Sequence, residues 1–449
     1  RTYEPYFREL SERCDATEPL ATHANSVTRY DGAGRVIKVT NPDETFVHTL
    51  YRPLGRRAWD ENGKMTEQWS DGAGRVIAMR RPPLSGHSSQ TRYMELHYDL
   101  LSRLVGYTDS AGNQKTQEFD LLGRALVVND PNAGRLWFQY DDLGNTTRRG
   151  DGRGEIIATS YDIINRKVQE WDVADEEGTR RSWYYDVAQS GCVVSGFDHC
   201  TYPVGKTVKT SYVAKGCPDD GVCSEWFGYS NRGMAIYHGA TLPDSKGYRF
   251  ETASNYDNAN RLMSTDYPDG RSISFTYDGA GRFRAMNHEG NELVEIDYNQ
   301  QGLTKERRYG NGVVESYTYD SRLREKTHKT VGILGNLQFY KYTRDNVGNI
   351  LSIEDKSEFN GFWNGEFEYD DWYRLTKATL GTEHEEIPYE YNDIDNILKR
   401  GDKTYGYTSN KPNAVSRVGT LNYVYDDAGY VTRRGDMELL WDAWGRLVG

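Results

Sequence analysis

Tyr30-Asp31-Gly32-Ala33-Gly34-Arg35-Val36-Ile37 decides the fold, because its grammar keeps returning: an aromatic, Asp or Asn, two variable residues, Gly or Asn, Arg or Asn, then apolar residues. It recurs as Phe119-Asp120-Leu121-Leu122-Gly123-Arg124, Tyr140-Asp141-Asp142-Leu143-Gly144-Asn145, Tyr277-Asp278-Gly279-Ala280-Gly281-Arg282 and Trp441-Asp442-Ala443-Trp444-Gly445-Arg446. Further copies carry Asp71, Gly74 and Arg75, and the pairs Tyr98-Asp99, Tyr161-Asp162, Tyr256-Asp257, Tyr319-Asp320, Tyr369-Asp370 and Tyr425-Asp426. The acidic position falls at Asp99, Asp120, Asp141 and Asp162, and again at Asp257, Asp278, Asn299 and Asp320, each run in steps of 21 residues. A fixed period of this kind is the signature of a repeat architecture.

The phrase reads as a loop between two strands. The aromatic ends one strand, the Asp carboxylate accepts nearby backbone N–H groups, and Gly supplies a positive φ without steric cost. Stretches such as Arg35-Val36-Ile37-Lys38-Val39-Thr40 then alternate polar and apolar residues, as strands do. A second turn falls midway through many repeats, at Asn41-Pro42-Asp43, Asn62-Gly63, Asp109-Ser110-Ala111-Gly112, Pro268-Asp269-Gly270 and Gly310-Asn311-Gly312. One repeat is therefore two short strands and two turns, and the expected fold is all-β. A lone hairpin buries too little to stand alone, so consecutive hairpins are expected to pair into one continuous, coiled sheet. With 37% hydrophobic residues, a mean hydropathy of -0.82, and 34 Tyr against 13 Phe, the sheet is expected to be thin and wetted on both faces.

These phrases resemble the Rhs/YD-repeat family, which takes in bacterial Rhs proteins, the B and C components of insecticidal toxin complexes and the YD shells of teneurins. The resemblance runs from about Tyr30 to Gly449. It is most specific in Pro412-Asn413-Ala414-Val415, Tyr423-Val424-Tyr425-Asp426-Asp427-Ala428-Gly429 and Trp441-Asp442-Ala443-Trp444-Gly445-Arg446-Leu447. It implies a β-sheet shell forming part of a hollow cocoon that encloses a C-terminal toxic polypeptide. No core-closing segment of the DPxGR type follows Gly449, so the family's autoprotease residues cannot be carried over, and the chain is expected to be a piece of a longer protein. The expected organisation is a lead-in segment at 1–29 and a repeat shell at 30–449, with a Cys-rich insertion at about 187–228.

Length alone suggests several domains, but repeats make one continuous unit. No apolar run is long enough to span a membrane. The net charge of -12 argues against nucleic acid or an anionic membrane as a general partner. Cys192, Cys200, Cys217 and Cys223 cluster where the repeat grammar breaks. Two disulfides in an oxidising, extracytoplasmic compartment are the expected reading; a zinc site with His199 and free thiols are the alternatives. Cys14 is left to pair elsewhere.

Arg149-Gly150-Asp151, Arg400-Gly401-Asp402 and Arg434-Gly435-Asp436 each begin eight residues after a repeat marker, so they read as turn chemistry rather than adhesion motifs. Nine scattered histidines give no metal spacing, and no nucleophile elbow or phosphate loop is present. The prominent Asp residues are plural and recur in turns, whereas a catalytic residue is singular; neither an enzyme nor a cofactor is expected. The arginines Arg35, Arg75, Arg103, Arg124, Arg166, Arg261, Arg282, Arg374 and Arg446 are read as bridges between neighbouring turns, or as solvated, rather than as an anion-binding site.

The leading functional reading is a structural segment that encapsulates and helps deliver a C-terminal toxin, partnered by the rest of its polyprotein and by secretion or toxin-complex components. A cell-surface module that binds carbohydrate or a protein receptor through the Cys-rich insertion is the alternative. A carbohydrate-active enzyme on a repeat scaffold is the weaker one.

Overall fold

The computed structural model describes residues 2–3, 25–82, 92–187, 193–194, 197–198, 202–357, 364–381 and 383–449. The chain forms two compact units, one of Arg1–Thr116 with Val294–Asn422, the other of Gln117–Leu293 with Tyr423–Gly449. Both are antiparallel meanders, as the turn grammar requires. In the first unit Val36–Thr40, Phe46–Arg52, Gly55–Trp59, Met65–Ser70 and Val76–Arg81 pair in chain order. In the second, Ala125–Asp130, Gly134–Tyr140, Thr146–Gly150, Ile156–Tyr161 and Lys167–Asp172 do the same. A single turn of helix, Glu176–Thr179, capped by Asp175, joins Lys167–Asp172 to Arg181–Tyr185.

One irregularity repeats with the sequence. Arg29 faces Lys38 but Tyr30 faces Val36, leaving Ile37 as a bulge residue. The same shift precedes Tyr140, Tyr161, Tyr277, Tyr319, Tyr369 and Tyr425. A four-residue loop ending in a left-handed residue, Gly in most copies but Asn165, Leu323 and Tyr373 in others, inserts one residue into the returning strand, and the ladder absorbs it as a bulge.

Burial is sparse, as the composition predicts. Among the described residues only twelve hydrophobic side chains are buried, and six of them (Val208, Cys217, Cys223, Trp226, Tyr237 and Ala240) fall in one stretch. Within 187–228, Thr207–Val213 pairs with Arg181–Tyr185 on one side and with Val222–Tyr229 on the other. Cys217 and Cys223 form a disulfide in the connection. Cys14, Cys192, Cys200 and His199 lie outside the described residues.

Candidate functional site: the repeat turns and their seams

Each phrase is a small hydrogen-bonded machine built on one carboxylate. Asp31 Oδ1 accepts the amides of Ala33 and Arg35, both at 2.9 Å, while Oδ2 accepts Arg35 Nε at 2.7 Å. Gly34, at φ 77°, donates its amide to the Asp31 carbonyl at 3.1 Å. The set recurs at Asp71 with Gly74 and Arg75, Asp99 with Arg103, Asp120 with Gly123 and Arg124, and Asp162 with Arg166. It recurs again at Asp257, Asp278 with Gly281 and Arg282, Asp320, Asp370, and Asp442 with Gly445 and Arg446. At Asp141, with Gly144, the donor is Asn145 Nδ2 at 2.9 Å, which explains why Asn substitutes for Arg in the phrase.

These contacts hold the carboxyls of Asp31, Asp120, Asp162 and Asp257 below their ordinary value. The backbone N–H of the Arg four residues on is the largest cause, its guanidinium adds to it, and desolvation opposes both.

The Arg also reaches the neighbouring repeat. Arg124 Nη1 donates to the Asp141 carbonyl at 3.1 Å, and its guanidinium lies 4.7 Å over the Tyr140 ring. Arg75 lies over Tyr98, Arg261 over Tyr277 and Arg374 over Tyr391 in the same way. The phrase Tyr closes the link by donating its hydroxyl to a backbone carbonyl of the preceding repeat: Tyr98 to Val76, Tyr140 to Ala125, Tyr161 to Thr146, Tyr277 to Leu262, Tyr319 to Thr304 and Tyr369 to Ile350. Sequence reasoning expected the arginine bridges. It did not find their stacking on the next Tyr, although the shared 16-residue spacing of Arg124–Tyr140 and Arg261–Tyr277 carried the signal.

Tyr256 and Tyr425 end their strands at the same bulge. Tyr30 stands exposed at its own, and Asp426 accepts the amides of Ala428 and Tyr430. Trp441 replaces the Tyr and donates its indole N–H to the Val431 carbonyl at 2.8 Å.

Long-range seams are the second component, one within each unit. In the first unit the mid-repeat turn at Asp60-Glu61-Asn62 meets phrase turns nearly three hundred residues on. Tyr373 donates its hydroxyl to Asp60 Oδ2 at 2.6 Å, Asn62 Nδ2 donates to Asp345 Oδ2 at 2.9 Å, and Arg322 Nη2 bonds Glu61 Oε1 at 2.9 Å. Lys64 pairs with Asp371, and Arg92 with Asp395. Trp372 is 5% exposed, donates to the Pro82 carbonyl at 3.2 Å, and sits between the guanidiniums of Arg92 (4.5 Å) and Arg374 (4.7 Å). Burial and the repulsion of Arg374 and Arg81 lower the Arg92 pKa to about 10.

In the second unit Trp444 donates its indole N–H to Glu170 Oε2 at 2.9 Å and lies 4.4 Å under Arg181, while Arg153 Nη1 donates to the Asp442 carbonyl at 3.0 Å. The triplet Asp151 belongs to this seam, since its carboxylate holds the Arg153 guanidinium at 2.7 Å. A cavity of about 440 Å³ in the first unit is lined by Arg80, Arg81 and Arg92 against Asp109, Asp393 and Asp395, a balanced set with no net preference for anion or cation. Among the described residues no cluster of three or more His, Cys, Asp or Glu is placed to hold a metal ion.

The turn machine recurs along both meanders, and one stretch of it matches a known repeat family. The RHS Repeat family model matches residues 256–283, the hairpin that runs from Tyr256 through the Asp278 turn to Phe283. Toxin subunit YenC2 of Yersinia entomophaga is 26% identical over 426 residues, covering 85% of this chain and 41% of that protein. Toxin subunit YenC1 of the same organism is 26% identical over 201 residues, covering 40% and 19%. The chain thus spans less than half the length of these curated relatives. Its fold matches the solved TcdB2-TccC3 structure with a TM-score of 0.79 at 19% identity, covering 94% of this chain and 25% of that one. The Photorhabdus luminescens Tc holotoxin pore matches equally well, at 0.79 and 19%, covering 94% and 24%. Among the described residues no helix is long and apolar enough to cross a membrane.

Proposed function

We propose that this chain is a wall segment of a toxin-type RHS-repeat protein, and that the wall encloses a toxic polypeptide carried on the same polyprotein until delivery. The single observation that carries this reading is the way hairpin rows are joined. Phrase turns and mid-repeat turns lock together through Tyr373, Arg322, Trp372 and Trp444, so that a sheet with almost no hydrophobic core is held edge to edge instead. Such a sheet serves as a barrier rather than as a globular binding domain.

The relatives support this reading, since YenC1 and YenC2 are toxin subunits and the matched solved chains belong to Tc toxin assemblies. Partner toxin-complex components and an extracytoplasmic destination follow from it, and the Cys217–Cys223 disulfide fits an oxidising compartment. For the glycan-binding alternative the Cys-rich stretch offers the ring of Tyr202, 52% exposed, while its Trp226 is 4% exposed and presents no open ring face.

The test is limited proteolysis of the longest natural polypeptide, read by mass spectrometry. Protection of a C-terminal segment that becomes sensitive when Trp372→Ala and Trp444→Ala open the seams is the expected result. A C-terminal segment digested equally fast in both forms would sink the proposal.

A further inference from the structure

The cavity of about 440 Å³ in the first unit holds two charges that the fold leaves unmatched. Register puts much of its lining on one sheet face: Arg81 opposes Arg92, Met79 opposes Met94, and Met94 opposes Asp109, with Tyr107 two residues before. The Asn392 turn supplies Asp393, Ile394 and Asp395 to the rest, and the Ser110 hydroxyl donates to the Asp393 carbonyl at 3.4 Å.

Most charges around the cavity are already paired within the protein. Arg92 and Arg374 share Asp395, and Arg80 lies 3.8 Å from Glu67. Asp109 accepts the amides of Ala111 and Asn113 and the Asn113 side chain. Arg81 and Asp393 are different. Both are exposed, and among the described residues neither side chain forms an ion pair or a hydrogen bond. In the neighbouring cavity of about 230 Å³, which shares Thr66 and Arg81, the acidic groups Asp60 and Asp371 are held by Tyr373 and Lys64.

The two unmatched charges stand apart. Arg81 ends Val76–Arg81, whereas Asp393 is tied to Ser110 just past Leu104–Asp109, and Arg92–Tyr98 runs between those strands. Two inter-strand steps, about 10 Å, separate them, with the apolar Met94 in the gap. A simple anion would meet Arg81 and leave Asp393 unanswered, and a simple cation would do the reverse. A ligand that joins both charges through an apolar body satisfies each.

We propose that this cavity binds a short zwitterionic peptide, two residues long with apolar side chains, its carboxylate on Arg81 and its ammonium on Asp393. An extended dipeptide is about 7 Å long and spans the gap with a charge-assisted hydrogen bond at each end. A single amino acid, half that length, reaches only one end. Arg81 offers the carboxylate a planar fork of donors. Met79 and Met94, unbranched and polarizable, adapt to the peptide side chains, with Tyr107 and Ile394 beside them.

Isothermal titration calorimetry of the full chain with leucyl-leucine, its N-acetyl form, its C-terminal amide and free leucine is the test. The free dipeptide should bind with a dissociation constant below about 1 mM, and each of the other three at least about tenfold more weakly. In Arg81→Gln the amide should bind as well as the free dipeptide, and in Asp393→Asn the N-acetyl form should. Neither substitution removes a side-chain contact within the fold, so an unchanged Tm should accompany both. A dissociation constant above about 1 mM, equal affinity for free and blocked forms, or discrimination that survives both substitutions would each overturn the proposal. None of these outcomes depends on whether a toxin is enclosed.

Discussion

Residues 207–241 and residues 256–288 lie in the same unit and use the same antiparallel ladder, yet they are stabilised by different physics. The first stretch buries Val208, Cys223, Ser224, Trp226, Tyr237 and Thr241 to 5% exposure or less, around the Cys217–Cys223 disulfide. Burial and Glu251 push the Tyr237 phenol up to about 12. The second stretch, which carries the RHS match, buries only Ala285 to a comparable degree. It relies instead on Asp257 and Asp278, on Arg261 stacked 4.8 Å over Tyr277, and on the Tyr277 hydroxyl. Even the turn chemistry differs: the phrase Asp is replaced by Ser230, whose hydroxyl accepts the Met234 amide at 3.2 Å. One region is a small hydrophobic core, and the other is a lattice of carboxylate turns. A repeat can dispense with a core when every turn satisfies its own backbone and grips its neighbour.

Acid should separate the two regions most strongly, because it acts on every phrase turn at once. The folded carboxyls of Asp257 and Asp278 sit below their ordinary value of 3.8. Their contribution is therefore fully present above that value and is lost as pH falls through the lower, folded one. Hydrogen exchange at stepwise lower pH should show 256–288 opening first while 207–241 stays protected. Simultaneous loss would show that the core depends on the lattice.

Trp226→Ala should do the converse at neutral pH, costing about 3–5 kcal/mol through the cavity it leaves and loosening 207–241 before 256–288. Chemical denaturation followed by exchange mass spectrometry would read this. Reduction of Cys217–Cys223 closes off less, since the loop is short; a loss of about 2 kcal/mol is expected, visible as a lower Tm of the same region only.

A lattice turn in the first unit offers a milder test. Asp320→Ala removes acceptors for the amides of Arg322 (2.9 Å) and Arg324 (3.0 Å) and for Arg324 Nε (2.7 Å). It should cost about 1–2 kcal/mol, confined to exchange at that turn. The smallest effect has the opposite sign. Leu323 occupies the Gly position at φ 61°, so Leu323→Gly should relieve roughly 1 kcal/mol of strain. A destabilised Leu323→Gly protein would mean that its side chain contributes more packing than its backbone costs.

The turns of Asp120 with Arg124 and of Asp141 with Gly144 were legible because their partners lie two to four residues away and recur with the period. The two-strand repeat and the turn role of Gly401 and Gly435, at φ 57° and 59°, were legible for the same reason. Tyr373 and Leu323, both non-Gly residues at positive φ, were not, since the phrase predicts Gly or Asn there. The Leu and Ile pairs at Leu121, Leu122, Ile163 and Ile164 stood in the sequence at the 21-residue step, but nothing local distinguishes them from Trp372 or Ile394.

By itself, then, the sequence determined the hairpin, its all-β ladder and the carboxylate that organises each turn. These rest on contacts within one or two repeats, which a periodic chain writes out again and again. Only the tertiary structure decided that Trp372 and Trp444 are pinned while Leu121 and Ile163 stand in solvent, and that Cys217 pairs with Cys223. Seam partners lie nearly three hundred residues apart with no period linking them. Identical turn positions acquire different environments only when one row of hairpins comes to rest upon another.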